Sequence, residues 1–214
     1  MRKTHSNKQM LILATHNSGK IKEFKRNLIQ LQNLVDLKTL GITNVADESG
    51  FTFEENAKQK LSSYFKLLKN KFDFNENILI SEDSGLEVFS LNRKPGIKSA
   101  RYGGEKLSDS ERNKHLLKKM WGIPLDQRKA QFVCVIAIAG PGIPFKNPKI
   151  FRAEVSGIIS LEEKGDNGFG YDPIFISSIF QKTNAQLRND EKDSVSHRGL
   201  AIKKITPLLE KMLI

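Results

Sequence analysis

The chain has 214 residues, 38% hydrophobic and 28% charged, with one cysteine and a net charge of +11. That length suits one domain, or one domain with a smaller lobe, and can bury a sizeable core without disulfides or a structural metal. A single thiol excludes a disulfide framework, and no apolar run approaches the ~18 residues of a membrane helix, so a soluble protein of a reducing cytoplasm with no membrane partner is expected.

Residues 1–9 are polar and basic and read as a short N-terminal extension, and the apolar stretch after them is too short for a signal peptide. Residues 10–15 form an apolar, strand-like run. From Ser18 to about residue 32, Ile21, Phe24, Leu28 and Leu31 recur at steps of three and four and predict a helix. Residues 35–40 alternate weakly and read as a second strand. Thr52 with Glu55 forms a capping-box pattern that opens a helix reaching about residue 70, with Ala57, Leu61, Tyr64, Phe65 and Leu68 on one face. Residues 78–81 and 86–91 read as two strands on either side of Glu82, Asp83, Ser84 and Gly85. A helix over 108–120, strands over 132–139 and 152–160, and an amphipathic helix over 201–213 complete the chain. Cys134 falls inside the apolar run over 132–139 and reads as a small core residue. Strands and helices alternate without a helix-only block, so the class is α/β.

Four segments could carry chemistry. Thr15, His16, Asn17, Ser18, Gly19 and Lys20 join the first strand to the first helix. A helix N-terminus with a lysine is an anion site. The segment is not a Walker loop, because Ala14 and Ile21 stand where that pattern needs Gly and Ser or Thr. Taken alone, the same residues serve equally well as a turn and a helix cap.

Asp47 and Glu48 lie in a loop, and Glu82 and Asp83 end a strand. Carboxylates so placed suit Mg²⁺, which keeps its waters and takes one or two protein carboxylates, and one of them can act as a base; they also suit plain solvation. Gly168 to Pro173 interleaves two glycines with Phe169 and Tyr171 before Asp172. Such a segment can stack on a purine, or it can be a turn with core aromatics. Lys192 precedes Ser196, His197 and Arg198 at the start of the last helix, offering donors to a phosphate or a base carbonyl, or a simple surface cap. Basic residues are scattered along the whole chain with no aromatic-interleaved stripe. A lysine-rich solvated surface, with a cleft that draws in a small polyanion, therefore fits better than a nucleic-acid partner.

Together, LATHNSGKIKEF, ESGFTFEENA, SEDSGLEV, PGIKSARYGG, GFGYDPIF and EKDSVSHRG, in that order over residues 10–212, resemble the inosine triphosphate pyrophosphatase family. The resemblance implies an elongated, mixed central sheet with flanking helices, two lobes around a cleft, and a homodimer. It implies Mg²⁺-dependent hydrolysis of deaminated purine nucleoside triphosphates (ITP, dITP, XTP) to the monophosphate and pyrophosphate, which keeps these bases out of DNA and RNA. Carried over, Thr15 to Lys20 would cradle the phosphates. Asp83 would be the general base and a metal ligand beside Ser84, and the second ligand would be Asp47 or Glu48. Phe169, Gly170, Tyr171 and Asp172 would hold base and sugar, Lys192 would touch substrate, and His197 with Arg198 would read the purine carbonyl. His16 stands where the family usually has Gly, and residues 72–77 look like an added polar surface loop. The related septum-formation enzymes, which act on other modified nucleotides, are disfavoured by SHRG and GFGYDP.

Overall fold

The computed structural model describes residues 9–31 and 33–213, so all but Gln9 of the expected N-terminal extension lies outside the described residues. Seven strands form one mixed sheet: β1 (Leu11–Ala14), β2 (Leu34–Asp36), β3 (Ile78–Val88), β4 (Lys94–Pro95), β5 (Lys129–Ala139), β6 (Lys149–Ile159) and β7 (Phe175–Ser177). Their order is β2-β1-β3-β5-β6-β7, with β4 paired to β3. β1 runs parallel to both neighbours, and the other pairs are antiparallel. The helices are α1 (Ser18–Asn27), α2 (Phe53–Leu68), α3 (Asp109–Lys119), α4 (Asn189–Val195) and α5 (His197–Met212).

Strand β5 is apolar from Phe132 to Ala139 and buried from Ala130 on, because helices cover both faces of this part of the sheet. On one face, Ala57, Leu61, Tyr64 and Leu68 of α2 pack on Val133, Val135 and Ala137. On the other, Phe24 and Leu28 join Ile202, Ile205 and Leu209 of α5 against Cys134, Ile136 and Ile138. A third cluster sits at the far end, where Leu116 and Met120 meet Leu86, Val88, Phe132, Tyr171 and Phe175. Strand β3 starts between the first two clusters and ends in the third. Its middle, from Glu82 to Gly85, therefore lies where the three meet.

Several boundaries differ from the sequence expectation. The two strands expected around Glu82–Gly85 are one continuous strand, followed by a 3₁₀ turn over Phe89–Leu91. Glu82 and Asp83 are thus mid-strand rather than at a strand end. Polar residues persist there because the backbone is laddered to β5 (Glu82 opposite Ile136, Gly85 opposite Val133) and the side chains find charged partners. The strand expected over 35–40 ends at Asp36, whose Oδ1 accepts the Thr39 N–H at 2.9 Å and turns the chain. The first helix ends at Asn27, and the last begins at His197, where Ser196 Oγ accepts the Gly199 N–H. In α2, Thr52 Oγ1 caps Glu55 N, but the Glu55 carboxylate takes the N–H of Phe51 rather than that of Thr52. Residues 72–77 are not a bare surface loop. Phe74 is buried against Phe65 and Phe145, and Asn77 Oδ1 accepts the Met10 N–H.

Candidate active site

Register places the parts. Ala14 pairs with Ser81, so the chain leaving β1 runs beside Glu82 and Asp83. Asn17 caps α1 by accepting the Lys20 N–H at 3.0 Å, and Lys20 sends its ammonium to Glu82. These elements border a cleft of about 440 Å³.

The floor of the cleft is a buried charge network. Glu82 is 1% exposed and meets Lys20 and Arg198. Burial alone would raise its pKa, but the two cations hold it well below the usual carboxylate range. Glu23 behaves alike: burial opposes ionisation, yet Arg198 and Lys192 bring its pKa down to about 2. Arg198 donates Nε–H and one Nη2–H to Glu82, a second Nη2–H to Ser84 Oγ, and one Nη1–H to Glu23. Four of a guanidinium's five N–H bonds are therefore used inside the protein. Lys192 lies 2.6 Å from Glu23 and 2.5 Å from Asp172, and Phe169 covers both cations with its ring. The same ring lies so close to Gly19 that a Cβ there would come within 2.5 Å of it, which explains the glycine.

One wall carries the acids. Asp83 accepts from Lys60 Nζ at 3.1 Å and from Asn56 Nδ2 at 3.0 Å. Burial pushes its pKa up, against the pull of Lys60 and Lys20. The Lys60 ammonium also lies 2.6 Å from Glu48 Oε1, and these carboxylates keep it charged despite its burial. His197, also in the lining, stacks on Phe132 at 4.5 Å with its Nδ1 buried and unpartnered. Burial, then Arg198, lowers its pKa well below the ordinary value, so the ring is neutral near pH 7.

A cleft lined by five cationic side chains, Lys20, Lys60, Arg112, Lys192 and Arg198, among buried carboxylates and at a strand-to-helix turn, is built for a polyanion. A family model described as the Ham1 family matches residues 11–208.

This chain belongs to the Ham1 family. It is 42% identical over 200 residues to a dITP/XTP pyrophosphatase of Bacillus subtilis, covering 93% of this chain and 96% of that one. A dITP/XTP pyrophosphatase of Clostridium perfringens is 41% identical over 204 residues, covering 94% and 98%. Among solved structures, the Staphylococcus aureus Ham1 protein superposes with a TM-score of 0.79 at 40% identity, covering 95% of this chain and 99% of that one. A HAM1 protein from Coxiella burnetii superposes at 0.80 with 33% identity, covering 95% and 99%. The expected mixed sheet with flanking helices is this family's architecture.

The residues singled out in the sequence do not all occupy the cleft. Thr15, His16, Asn17, Lys20, Glu48, Asp83, Ser84, Phe169, Gly170, Tyr171, Asp172, Lys192, His197 and Arg198 line it. Ser18, Gly19 and Asp47 are not part of its lining, and Ser18 and Asp47 are exposed to solvent. His16, at the position where a glycine is expected, anchors its imidazole on Asn44 O, 2.8 Å from Nε2, while still lining the cleft. Tyr171 points into the core and donates its hydroxyl to Ser99 O. Asp172 is consumed by Lys192, Asn184 and the Phe169 N–H. Lys60, Asn56 and Glu23 were missed. The first two were legible: they fall on the same three-and-four spaced face as Ala57, Leu61 and Tyr64, where a polar residue interrupts an apolar stripe.

Proposed function

We propose that this chain hydrolyses deaminated purine nucleoside triphosphates (ITP, dITP and XTP) to the monophosphate and pyrophosphate. The carrying observation is the convergence of Lys20, Lys60 and Asp83 on one cleft in a chain 42% identical to a dITP/XTP pyrophosphatase. In this reading Thr15 to Lys20 and the Lys60 ammonium neutralise the phosphates and hold the α-phosphorus in line with a water molecule. That oxygen forms the new bond to phosphorus, the bond to the bridging oxygen breaks, and pyrophosphate leaves. The proton passes from the water to a carboxylate oxygen of Asp83, whose raised pKa suits a base. No covalent intermediate is needed.

Mg²⁺ fits the acidic wall. Glu48 and Asp83 both approach the Lys60 ammonium, so one cation already lies between them, and these hard oxygen donors match the ion. Among the described residues no three His, Cys, Asp or Glu side chains gather to hold a metal, but Mg²⁺ needs only one or two carboxylates and water. Glu48 and Asp83 would hold it, and it would supply charge neutralisation at the phosphates. Cleft position favours Glu48 over Asp47 as the second ligand.

The neutral His197 and the one remaining Nη1–H of Arg198 would meet the C6 carbonyl, with Phe169 beside the base. The working unit would be a homodimer in a reducing cytoplasm, consistent with a single buried thiol. Among the described residues no helix is long and apolar enough to cross a membrane. A panel of common and deaminated triphosphates, assayed for phosphate after added inorganic pyrophosphatase, tests the reading. Signal confined to ITP, dITP and XTP is expected, and equal rates on ATP and GTP would refute it.

A further inference from the structure

One turn of α3 grips the loop that carries Phe169. Asp109 Oδ2 accepts the Gly170 N–H at 2.7 Å, and Asn113 Nδ2 donates to the Gly170 carbonyl at 3.1 Å. Both hydrogen-bonding groups of residue 170 are thus held from a single helix face, since positions four apart are neighbours on a helix. Arg112 completes the turn. Its Nη1 donates to Asp109 Oδ1 at 2.8 Å and its Nη2 to Leu107 O at 2.7 Å, which orients the carboxylate so that its other oxygen meets Gly170. Asn113 Nδ2 is itself braced by Glu163 Oε1 at 3.0 Å.

Two observations set this turn apart from ordinary packing. Arg112 and Asn113 are 6% and 1% exposed, yet Arg112 Nε and Asn113 Oδ1 are buried without partners. Unsatisfied buried polar atoms are costly and uncommon, and an apolar pair would pack here at less cost. Gly170 itself has φ +62°, a backbone state that this pair of hydrogen bonds holds from both sides. What the grip controls is the neighbouring residue. The Phe169 ring lies on Gly19 and over the Lys192 and Arg198 head groups.

We infer that Asp109, Arg112 and Asn113 are positioning residues for nucleotide binding: they fix the Gly170 backbone and so hold Phe169 where the nucleoside enters. The inference rests on the proposed nucleotide substrate. None of the three is a catalytic residue. They set affinity for the nucleoside end while leaving the phosphate chemistry at Lys20, Lys60 and Asp83 untouched.

The test uses Asp109→Ala, whose side chain is half exposed, with Asn113→Ala as the buried counterpart and circular dichroism to establish that each variant is folded. Two readouts are taken on the full-length protein with Mg²⁺: exchange of the Gly170 amide by NMR, and steady-state kinetics on ITP. Asp109→Ala should speed Gly170 exchange and raise KM for ITP about tenfold, the size of one lost hydrogen bond to a charged group, while kcat stays within about twofold. Asn113→Ala, where it folds, should raise KM in the same direction. Unchanged Gly170 exchange in Asp109→Ala would overturn the grip, and faster exchange with an unchanged KM would overturn its role in binding. A fall in kcat at constant KM would also contradict it. Wild-type protein that fails to turn over ITP would sink the functional reading by itself, while the Gly170 exchange arm would still decide the grip.

Discussion

The Lys60 ammonium lies 3.1 Å from Asp83 Oδ1, inside a cleft wall that the sequence presents as one face of an amphipathic helix. This pairing favours the ionised form of the candidate base against the effect of its burial, and it holds the same lysine in the lining of the cleft. Lys60→Met should therefore lower kcat/KM for ITP by roughly 10²-fold or more, the usual size for losing one electrostatic contact to a transition state. Asp83→Asn, which keeps shape but removes the proton acceptor, should lower kcat by about 10²-fold or more with ITP binding retained. Circular dichroism would establish that both variants are folded. Either one keeping most of the wild-type rate would remove that residue from the chemistry.

The acidic loop makes a second test possible. Glu48 lines the cleft beside Lys60, whereas Asp47 is exposed outside it. EDTA should abolish turnover, and Glu48→Gln should shift the Mg²⁺ titration to clearly higher concentration. Asp47→Asn should titrate like the wild type. The reverse ranking would place the second ligand on Asp47.

Arg198 is first a counter-ion. Its guanidinium is 2% exposed and bridges Glu23 and Glu82, so Arg198→Ala leaves two buried carboxylates short of a partner. Breaking a buried pair from one side costs about 3–5 kcal/mol, and urea unfolding of the variant should show a loss of that order. An unfolding midpoint close to that of the wild type would mean that the network is solvated or redundant.

Glu23 gives the pH dependence. Its carboxyl is lowered from 4.5 to about 2 in the fold, held there by Arg198 and Lys192 against the opposing effect of burial. A lowered carboxylate stabilises the fold above its unfolded pKa, and that stabilisation is lost as pH falls through the folded value. Between about pH 4.5 and pH 2 the wild type should accordingly lose on the order of 3 kcal/mol through this group. Glu23→Gln should be less stable at pH 7 and flatter across that window, measured by urea unfolding at each pH. An unchanged slope would assign the acid sensitivity elsewhere.

Much of this was legible in the sequence, and the failures have physical causes. The helices with clear three-and-four spacing were found, and so was the long apolar strand that became β5. Glu82 to Gly85 break the apolar pattern, which in the sequence alone looks like a gap between strands. In the fold, Lys20, Arg198, Lys60 and Asn56 supply partners that let charged residues sit mid-strand, and those partners come from distant segments. The same distance effect hid the roles within the Gly168–Pro173 loop. Composition suggested two aromatics facing a base, but only Phe169 faces the cations, while Tyr171 is drawn into the core by Ser99 O. Residue types on a loop are visible in a sequence; which side of the chain each one presents depends on what packs against it.

The central claim is attack at the α-phosphorus, and hydrolysis of ITP in ¹⁸O-labelled water tests it most directly. The products should be IMP and pyrophosphate, with the label in the IMP phosphate, because the new bond forms at the phosphorus held beside Asp83. Label in the pyrophosphate, or IDP and orthophosphate as products, would contradict the account.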